Sequence, residues 1–431
     1  MNMKCKKSLG ALATFLFVCV CADSAQAAMV NRVVGTCTPA PLVTIKARYA
    51  TIQDAVDGAI LGGLPSNVLV CPGIYREQVE IAPVTASLLR KVAAGTVQAG
   101  DIPDREPIIT LKGINLTVGP AVIAAPTGGL AAAFTNATLG PIAPQLLVRE
   151  TAGVNVSNME FDGSGGGCPR VGTVPARSVG IVFAKGPVLE SLSEDMGGSI
   201  KFVSIHDQQY PWSASCGADS LGILSVNTII SINDNTITRI NDMAVYLLGG
   251  NNQALRNNIS FCGGYGFFVD GSTGSDVSLN TLSQIFKGIN LTNGANLVTV
   301  ELNVLTPAMT YGVVVDGGAN NSITRNKGSF TGIGILLDNG SSGNLVEDNQ
   351  LDHCGDACIA NRFSLGGNTI DWNDFDNSAA YGIWLRNTDD NYTIDQVYSN
   401  VFGGNIPVQI CQSTTNGLNF NPSNPTAFCR P

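Results

Sequence analysis

Eight asparagines recur at near-constant spacing in the second half of the chain, and that period constrains the fold more than any other feature. They are Asn235, Asn258, Asn280, Asn303, Asn326, Asn349, Asn373 and Asn400, separated by steps of 23, 22, 23, 23, 23, 24 and 27 residues. A second landmark keeps phase with them. Seven to nine residues after each Asn, a small residue or Pro opens a four-residue strand: Ala244-Val-Tyr-Leu, Gly266-Phe-Phe-Val, Gly288-Ile-Asn-Leu, Gly312-Val-Val-Val, Gly334-Ile-Leu-Leu, Ala357-Cys-Ile-Ala, Gly382-Ile-Trp-Leu and Pro407-Val-Gln-Ile. Each unit holds two or three short β-prone runs broken by Asn, Gly, Ser and Asp. No run is long enough to be stable alone. Stacking the units about 4.8 Å apart pairs each strand with its counterpart in the next coil, and stacked Asn side chains can hydrogen-bond along the axis. Helical solenoids tolerate few glycines, whereas this chain has 49. A four-stranded propeller blade needs roughly twice this period. The predicted fold is therefore all-β: a single-stranded right-handed parallel β-helix over residues 49–405.

The N-terminal end of the solenoid carries a cap. Thr51-Ile-Gln-Asp54 has the form of a capping box with Asp in place of Glu, and Ile52, Ala55, Val56, Ala59 and Ile60 follow helical spacing. A short helix here covers the open end of the core. The segment Tyr49-Ala-Thr-Ile-Gln-Asp-Ala-Val56, followed by Val70-Cys-Pro-Gly-Ile-Tyr-Arg-Glu-Gln-Val-Glu-Ile81, resembles the opening of the pectin-lyase-like superfamily. That group holds pectin methylesterases, pectate lyases, polygalacturonases and alginate epimerases. The resemblance covers nearly the whole mature chain and implies the fold; activity depends on sites grafted onto it. Residues 82–150 read as early coils with large loops, with strand-like pieces at Ile108-Ile-Thr-Leu111 and Leu146-Leu-Val148. Residues 163–177 read as a second excursion, 28–48 as a lead-in and 406–431 as a tail closed by a disulfide.

Residues 1–27 have the layout of a secretory signal: Lys4, Lys6 and Lys7, then an apolar stretch from Leu9 to Val20, then Ala25-Gln26-Ala27 as the cleavage site. Export to the periplasm or beyond is expected, with no membrane span in the mature chain. Losing this segment removes three Lys and one Asp, which leaves 21 basic and 32 acidic residues and a net charge of −11. Such a surface excludes nucleic acid as a partner. Nine cysteines remain, and an oxidising compartment makes disulfides the default. Cys37 with Cys71 staples the cap to the first coil, Cys168 with Cys216 joins neighbouring loops, and Cys411 with Cys429 closes the tail. Cys262, Cys354 and Cys358 stay unassigned; Cys354–Cys358 is a candidate pair, although Cys358 is expected to point inward.

Family signatures of catalysis are incomplete. The pectin methylesterase pattern stops at Gly73-Ile-Tyr-Arg-Glu77, and His206-Asp207 does not match the epimerase Asp-Pro-His-Asp. Gly355-Asp356-Ala357-Cys358-Ile359-Ala360 is similar to the polygalacturonase Gly-Asp-Asp-Cys-Ile-Ala, which implies that Asp356 stands where the general acid sits; the second Asp is Ala357 here. Asn387-Thr-Asp-Asp390 contains Asn-Thr-Asp, another element of that family, but lies downstream of the Gly-Asp motif rather than upstream and is read as a turn. Two His in the mature chain, His206 and His353, argue against a multi-His metal site. With five mature Met they also weaken a copper-delivery role.

Strand parity gives the better guide. In the landmark strands the second and fourth residues face inward, as Ile335 and Leu337 do, so the third faces out. That outward column reads Tyr246, Phe268, Asn290, Val314, Leu336, Ile359, Trp384 and Gln409. Two positions on, it reads Leu248, Asp270, Thr292, Asp316, Asp338, Asn361, Arg386 and Cys411. Tyr246, Phe268 and Trp384 are candidates to stack on sugar rings. Asp316, Asp338, Asp356 and Arg386 are candidate catalytic residues. Asp316 and Asp338, on adjacent coils, repel unless a proton or a cation such as Ca²⁺ intervenes. The expected function is binding or cleavage of an acidic, uronate-type polysaccharide by a lyase or glycoside hydrolase face. The competing expectation is a non-catalytic structural or adhesive solenoid.

Overall fold

The computed structural model describes residues 29–37, 43–104, 106–114, 119–185, 197–209, 216, 219–386, 395–412, 419–420 and 426–428. The expected signal sequence and Cys429 lie outside them. The chain coils into a right-handed parallel β-helix. Among the described residues, one strand from each coil joins a 15-stranded sheet, and the rest, apart from a two-stranded hairpin, join a 22-stranded sheet that wraps the other two sides. In the middle coils two runs merge around a corner into single long strands, Asn258–Asp270, Thr281–Thr292, Val304–Asp316 and Lys327–Asp338. Their pairing is parallel throughout. The stack begins before residue 49: Val30–Val34 and Ile45–Tyr49 of the lead-in already pair in parallel and lead into Ser66–Val70.

The ladder is real, with one register correction. The stacked asparagines are Asn235, Asn257, Asn280, Asn303, Asn326, Asn349, Asn373 and Asn400. Asn257 therefore takes the place assigned to Asn258, which is exposed. From Asn257 onward each Oδ1 accepts the backbone N–H and the Nδ2–H of the Asn one coil earlier, as Asn326 and Asn349 show at 2.9 and 3.0 Å. The turn geometry explains the choice between neighbours. The residue before each ladder Asn adopts the left-handed conformation, as at Arg256, Leu279, Leu302 and Arg325 (φ 54–62°). For an L-residue that conformation costs about 1–2 kcal/mol, and the side-chain bonds of the following Asn offset it. A second ladder, which the repeat count missed, runs through Asn321, Asn344 and Asn368 at another corner. It ends on buried Asp395, whose Oδ1 accepts from both nitrogens of Asn368.

Ile52–Gly62 forms the capping helix, with Ile52, Ala55, Val56, Ala59 and Ile60 buried in the main core. Thr51 Oγ1 accepts from the Asp54 N–H at 3.1 Å. The carboxylate of Glu77, from the Gly-Ile-Tyr-Arg-Glu motif, accepts from Ile52 N and Gln53 N at 2.9 and 3.0 Å. That motif residue therefore caps a helix N-terminus, which satisfies donors that would otherwise be orphaned. The segment read as loops holds a second helix, Ala86–Ala93. It is only eight residues long and buries only Leu88. Strands Ile109–Gly113 and Gly140–Arg149 occupy the two strand-like pieces, and residues 163–177 carry a small antiparallel hairpin.

Disulfides join Cys37 to Cys71, Cys168 to Cys216 and Cys354 to Cys358. Cys358 is fully buried and still reaches Cys354 across the turn. Cys411 is disulfide-bonded as well, and Cys262 is a free, buried thiol.

Replacing Asn326 by Leu strips partners from two neighbouring coils. Asn326 Oδ1 accepts two bonds, and Nδ2 donates to Val300 O, Thr324 O and Asn349 Oδ1. Each buried group left unpaired costs about 1–3 kcal/mol, so Asn326→Leu is expected to lose at least about 3 kcal/mol in urea unfolding. Asn320→Leu, at an exposed position with one side-chain bond, is expected to change stability by less than about 1 kcal/mol. Equal midpoints for the two variants would show that the ladder carries no load.

Candidate functional site

The outward face of the landmark strands is built by three columns, each repeating once per coil. The middle column is Tyr246, Phe268, Asn290, Val314, Leu336, Ala360, Trp384 and Cys411. Two expected members are corrected. Ile359 pairs with Ile335 and Ile383 and belongs to the core, and Ala360 takes the outward place. Cys411 replaces Gln409 in the same way. The cause lies at the corner. Gly266, Gly288, Gly312, Gly334 and Gly382 mark it because a Cβ there would meet neighbouring atoms at 2.4–2.6 Å. Cys358 and Gln409 occupy the same level without a glycine, so the sequence landmark slips.

The third column has the corresponding change. Leu248, Asp270, Thr292, Asp316 and Asp338 are in register. The next member is Arg362, not Asn361, and Arg386 follows it. Arg362 donates to Asp338 from Nη2 at 2.5 Å and from Nε at 3.1 Å. This pairing holds the guanidinium above its ordinary range. The positive charge balancing Asp338 is therefore a neighbouring side chain. Asp316 accepts from Asn339 Nδ2 at 2.5 Å. Among the described residues these two carboxylates do not belong to a group of three or more side chains able to hold a metal ion.

The first column, three residues before the middle one, was not singled out from the sequence. It reads Met243, Tyr265, Lys287, Tyr311 and Ile333, and further on Ala357, Tyr381 and Val408. Lys287 Nζ lies 5.3 Å from the ring centre of Tyr265 and 5.7 Å from that of Tyr311. Such contacts between an ammonium and ring faces stabilise by about 0.5–2 kcal/mol. At the other end Tyr381 and Trp384 stack at 5.8 Å, and Arg386 covers Trp384 and Phe363. Neither Lys287 nor Arg386 has a carboxylate partner among the described residues. Tyr246 is buried, donates to Asp270 Oδ2 at 2.6 Å and meets Phe268 edge-on. Its role is packing, while Phe268 and Trp384 stay half-exposed. Asn290, between Phe268 and Val314, is 2% exposed, and its Oδ1 has no partner.

Asp242 opens the strand Met243–Leu248 at the same level as Asp356 opens Ala357–Arg362. It is half-buried, and its Oδ1 fills the space where Gly264 lacks a Cβ. Burial raises its carboxyl to about 7; the charge of Asp219 adds to the rise, and Arg177 opposes it. Arg177 itself pairs with Asp219 at 2.9 Å. Burial and the charges of Asp242 and Asp316 raise the Tyr265 phenol. Nothing in the sequence marks Asp242, because its strand-opening position looks like any turn. Asp356 takes part in the corner through its backbone. Residues 387–390 lie outside the described residues.

A family profile described as "Periplasmic copper-binding protein (NosD)" matches residues 218–427, just under half of the chain. Among solved structures, a GH136 lacto-N-biosidase from Eubacterium ramulus aligns with 91% of this chain and 67% of its own, at 11% identity and a TM-score of 0.50. The A-module of a mannuronan C-5 epimerase from Azotobacter vinelandii covers 86% of this chain and 95% of its own, at 16% identity and a TM-score of 0.38. This chain is a right-handed parallel β-helix protein. At these identities the likeness extends to the fold and no further. Comparison with curated protein sequences finds no match.

The carboxyl of Asp242 gives the β-helix a pH signature. The folded chain keeps this proton up to about 7, whereas the unfolded chain releases it near the ordinary aspartate value of 3.8. Stability from this group is therefore fully present below about 4 and is lost as pH rises to about 7. Asp242→Asn is expected to remove that part of the slope between pH 4 and 7, read as Tm against pH. A variant whose slope matches wild type would show that the group is solvated.

Proposed function

We propose that this protein binds or cleaves a uronate-type polysaccharide along the outward face of its landmark strands. The row Tyr265–Lys287–Tyr311 carries this reading: two rings with an ammonium held between them on three successive coils. Rings of this kind stack against the apolar faces of sugars. A cation with no carboxylate partner is suited to a uronate carboxylate. The pair Trp384 and Arg386 repeats the combination further along the face, which suits a chain-like ligand. Asp242 is the group positioned to donate a proton near neutrality, as glycosidic cleavage requires. The paired Cys residues and the periplasmic description of the matching family support residence outside the cytoplasm.

The copper named in that family's description does not fit the residues present in the matched segment. His353 is its sole histidine, exposed and paired with Asp352 at 2.7 Å. Met309 and Cys262 are buried in the core, and Cys354 and Cys358 are joined to each other. Cys411 is disulfide-bonded too, so a single half-buried thioether, Met243, is left of the soft donors that select copper.

A panel of neutral and uronate polysaccharides, followed by calorimetry and by release of reducing ends or unsaturated uronates, tests this reading. Lys287→Ala is expected to weaken uronate binding about tenfold or more, consistent with loss of a charge-assisted bond. Trp384→Ala is expected to weaken neutral and acidic ligands alike. If the substrate is cleaved, Asp242→Asn is expected to abolish turnover while binding persists. Absence of binding across the panel would return the protein to the structural class.

A further inference from the structure

A second set of groups lies on an adjacent side of the β-helix, in coils that precede the segment matched by the family profile. Strands Met159–Asp162 and Ser204–Gln208 pair in parallel, with Asp162 level with His206. The imidazole is half-buried. Its Nε2 lies 3.0 Å from Glu160 Oε1. Its Nδ1 lies 2.7 Å from Asp207 Oδ2 and 3.9 Å from Asp162 Oδ1. One ligand atom each from Asp162, His206 and Asp207 fall within 4.8 Å of one another. Arg239, from the next coil, donates to Asp207 Oδ1 from Nε at 2.5 Å and to Oδ2 from Nη2 at 2.7 Å.

Both ring nitrogens therefore face carboxylates. Nε2 faces Glu160, and Nδ1 is aimed between Asp162 and Asp207. A carboxylate behind the ring is the usual outer partner of a metal-ligating histidine. Glu160, Asp162 and Asp207 gather three carboxylates around one imidazole, and Arg239 pairs with only one of them, Asp207.

We propose that Asp162, His206 and Asp207 bind a borderline divalent metal ion of the Zn²⁺ type, with Glu160 as the positioning residue behind His206. One nitrogen and two oxygens suit such an ion better than Ca²⁺ or Mg²⁺, which take oxygen alone. Arg239 holds Asp207 in place, and a carboxylate has further lone pairs for the metal. Three protein ligands leave a fourth position for water or an exchanging ligand. The ion would tie two successive coils together next to the Cys168–Cys216 disulfide.

Zn²⁺ titration of the metal-stripped full chain, by calorimetry, tests the site. One ion per chain is expected, unaffected by excess Ca²⁺. His206→Gln is expected to lower affinity at least 100-fold, and Glu160→Gln about 10- to 100-fold, as outer-shell losses do. His353→Gln is expected to leave it unchanged. Circular dichroism of each variant checks the fold, and Co²⁺ absorption of the wild-type chain gives a readout that needs no variant. Zn²⁺ binding that survives His206→Gln, binding lost in His353→Gln, or a Co²⁺ spectrum identical to that of the aqueous ion would each overturn the assignment.

Discussion

Hydrogen bonding along the axis is the interaction on which everything else in this protein rests. Every coil is a strip of two or three short strands with no stability of its own. Backbone pairing to the coil above and below satisfies its amides, and the two asparagine ladders satisfy the corners, where a turn would otherwise leave donors buried and unpaired. The ladders also hold a left-handed residue in place at each turn. The corners therefore stay in register, and each side of the coil presents the same side-chain level again about 4.8 Å further on.

That repetition is what turns scattered residues into surfaces. Tyr265, Lys287 and Tyr311 are more than twenty residues apart in sequence and adjacent in space because they share a level. Asp338 and Arg362 become an ion pair for the same reason. On another side, Asp162 and His206 meet across two coils although 44 residues separate them. The solenoid core holds these levels rigid, with Ile289, Val313 and Ile335 stacked directly behind the first and middle columns. A face built this way suits an extended ligand, since each further coil adds another subsite of similar geometry.

Much of this was legible from the period. The spacing of Asn303, Asn326 and Asn349 announced both the coil and its ladder, and alternation within Gly334-Ile-Leu-Leu separated the inward Ile335 and Leu337 from the outward Leu336, which a second apolar cluster buries. The helical spacing from Ile52 to Ile60 announced the cap. Legibility failed where the signal depended on one residue type. Two adjacent asparagines, Asn257 and Asn258, could not be told apart without the turn geometry. At Cys358 the corner glycine was absent, the register slipped by one, and Arg362 was passed over as the partner of Asp338. The second helix, Ala86–Ala93, is amphipathic but only eight residues long, and it went unread within the loop segment.

The sequence by itself determined the architecture, because a period of 23 residues with short β runs has one low-energy solution: coils stacked in register with their polar corners hydrogen-bonded. It also determined which residues point inward wherever the corner glycine marks the strand, since alternation along a strand is a local property. The tertiary structure alone decided which side chains meet across coils and how their charges are balanced. Whether Asp338 faces a cation, whether Asp242 keeps its proton near neutrality, and whether His206 sits among carboxylates all depend on the register between strands far apart in the chain. The burial of each group and the charges around it arise only once the coils are stacked, so no local pattern carries them.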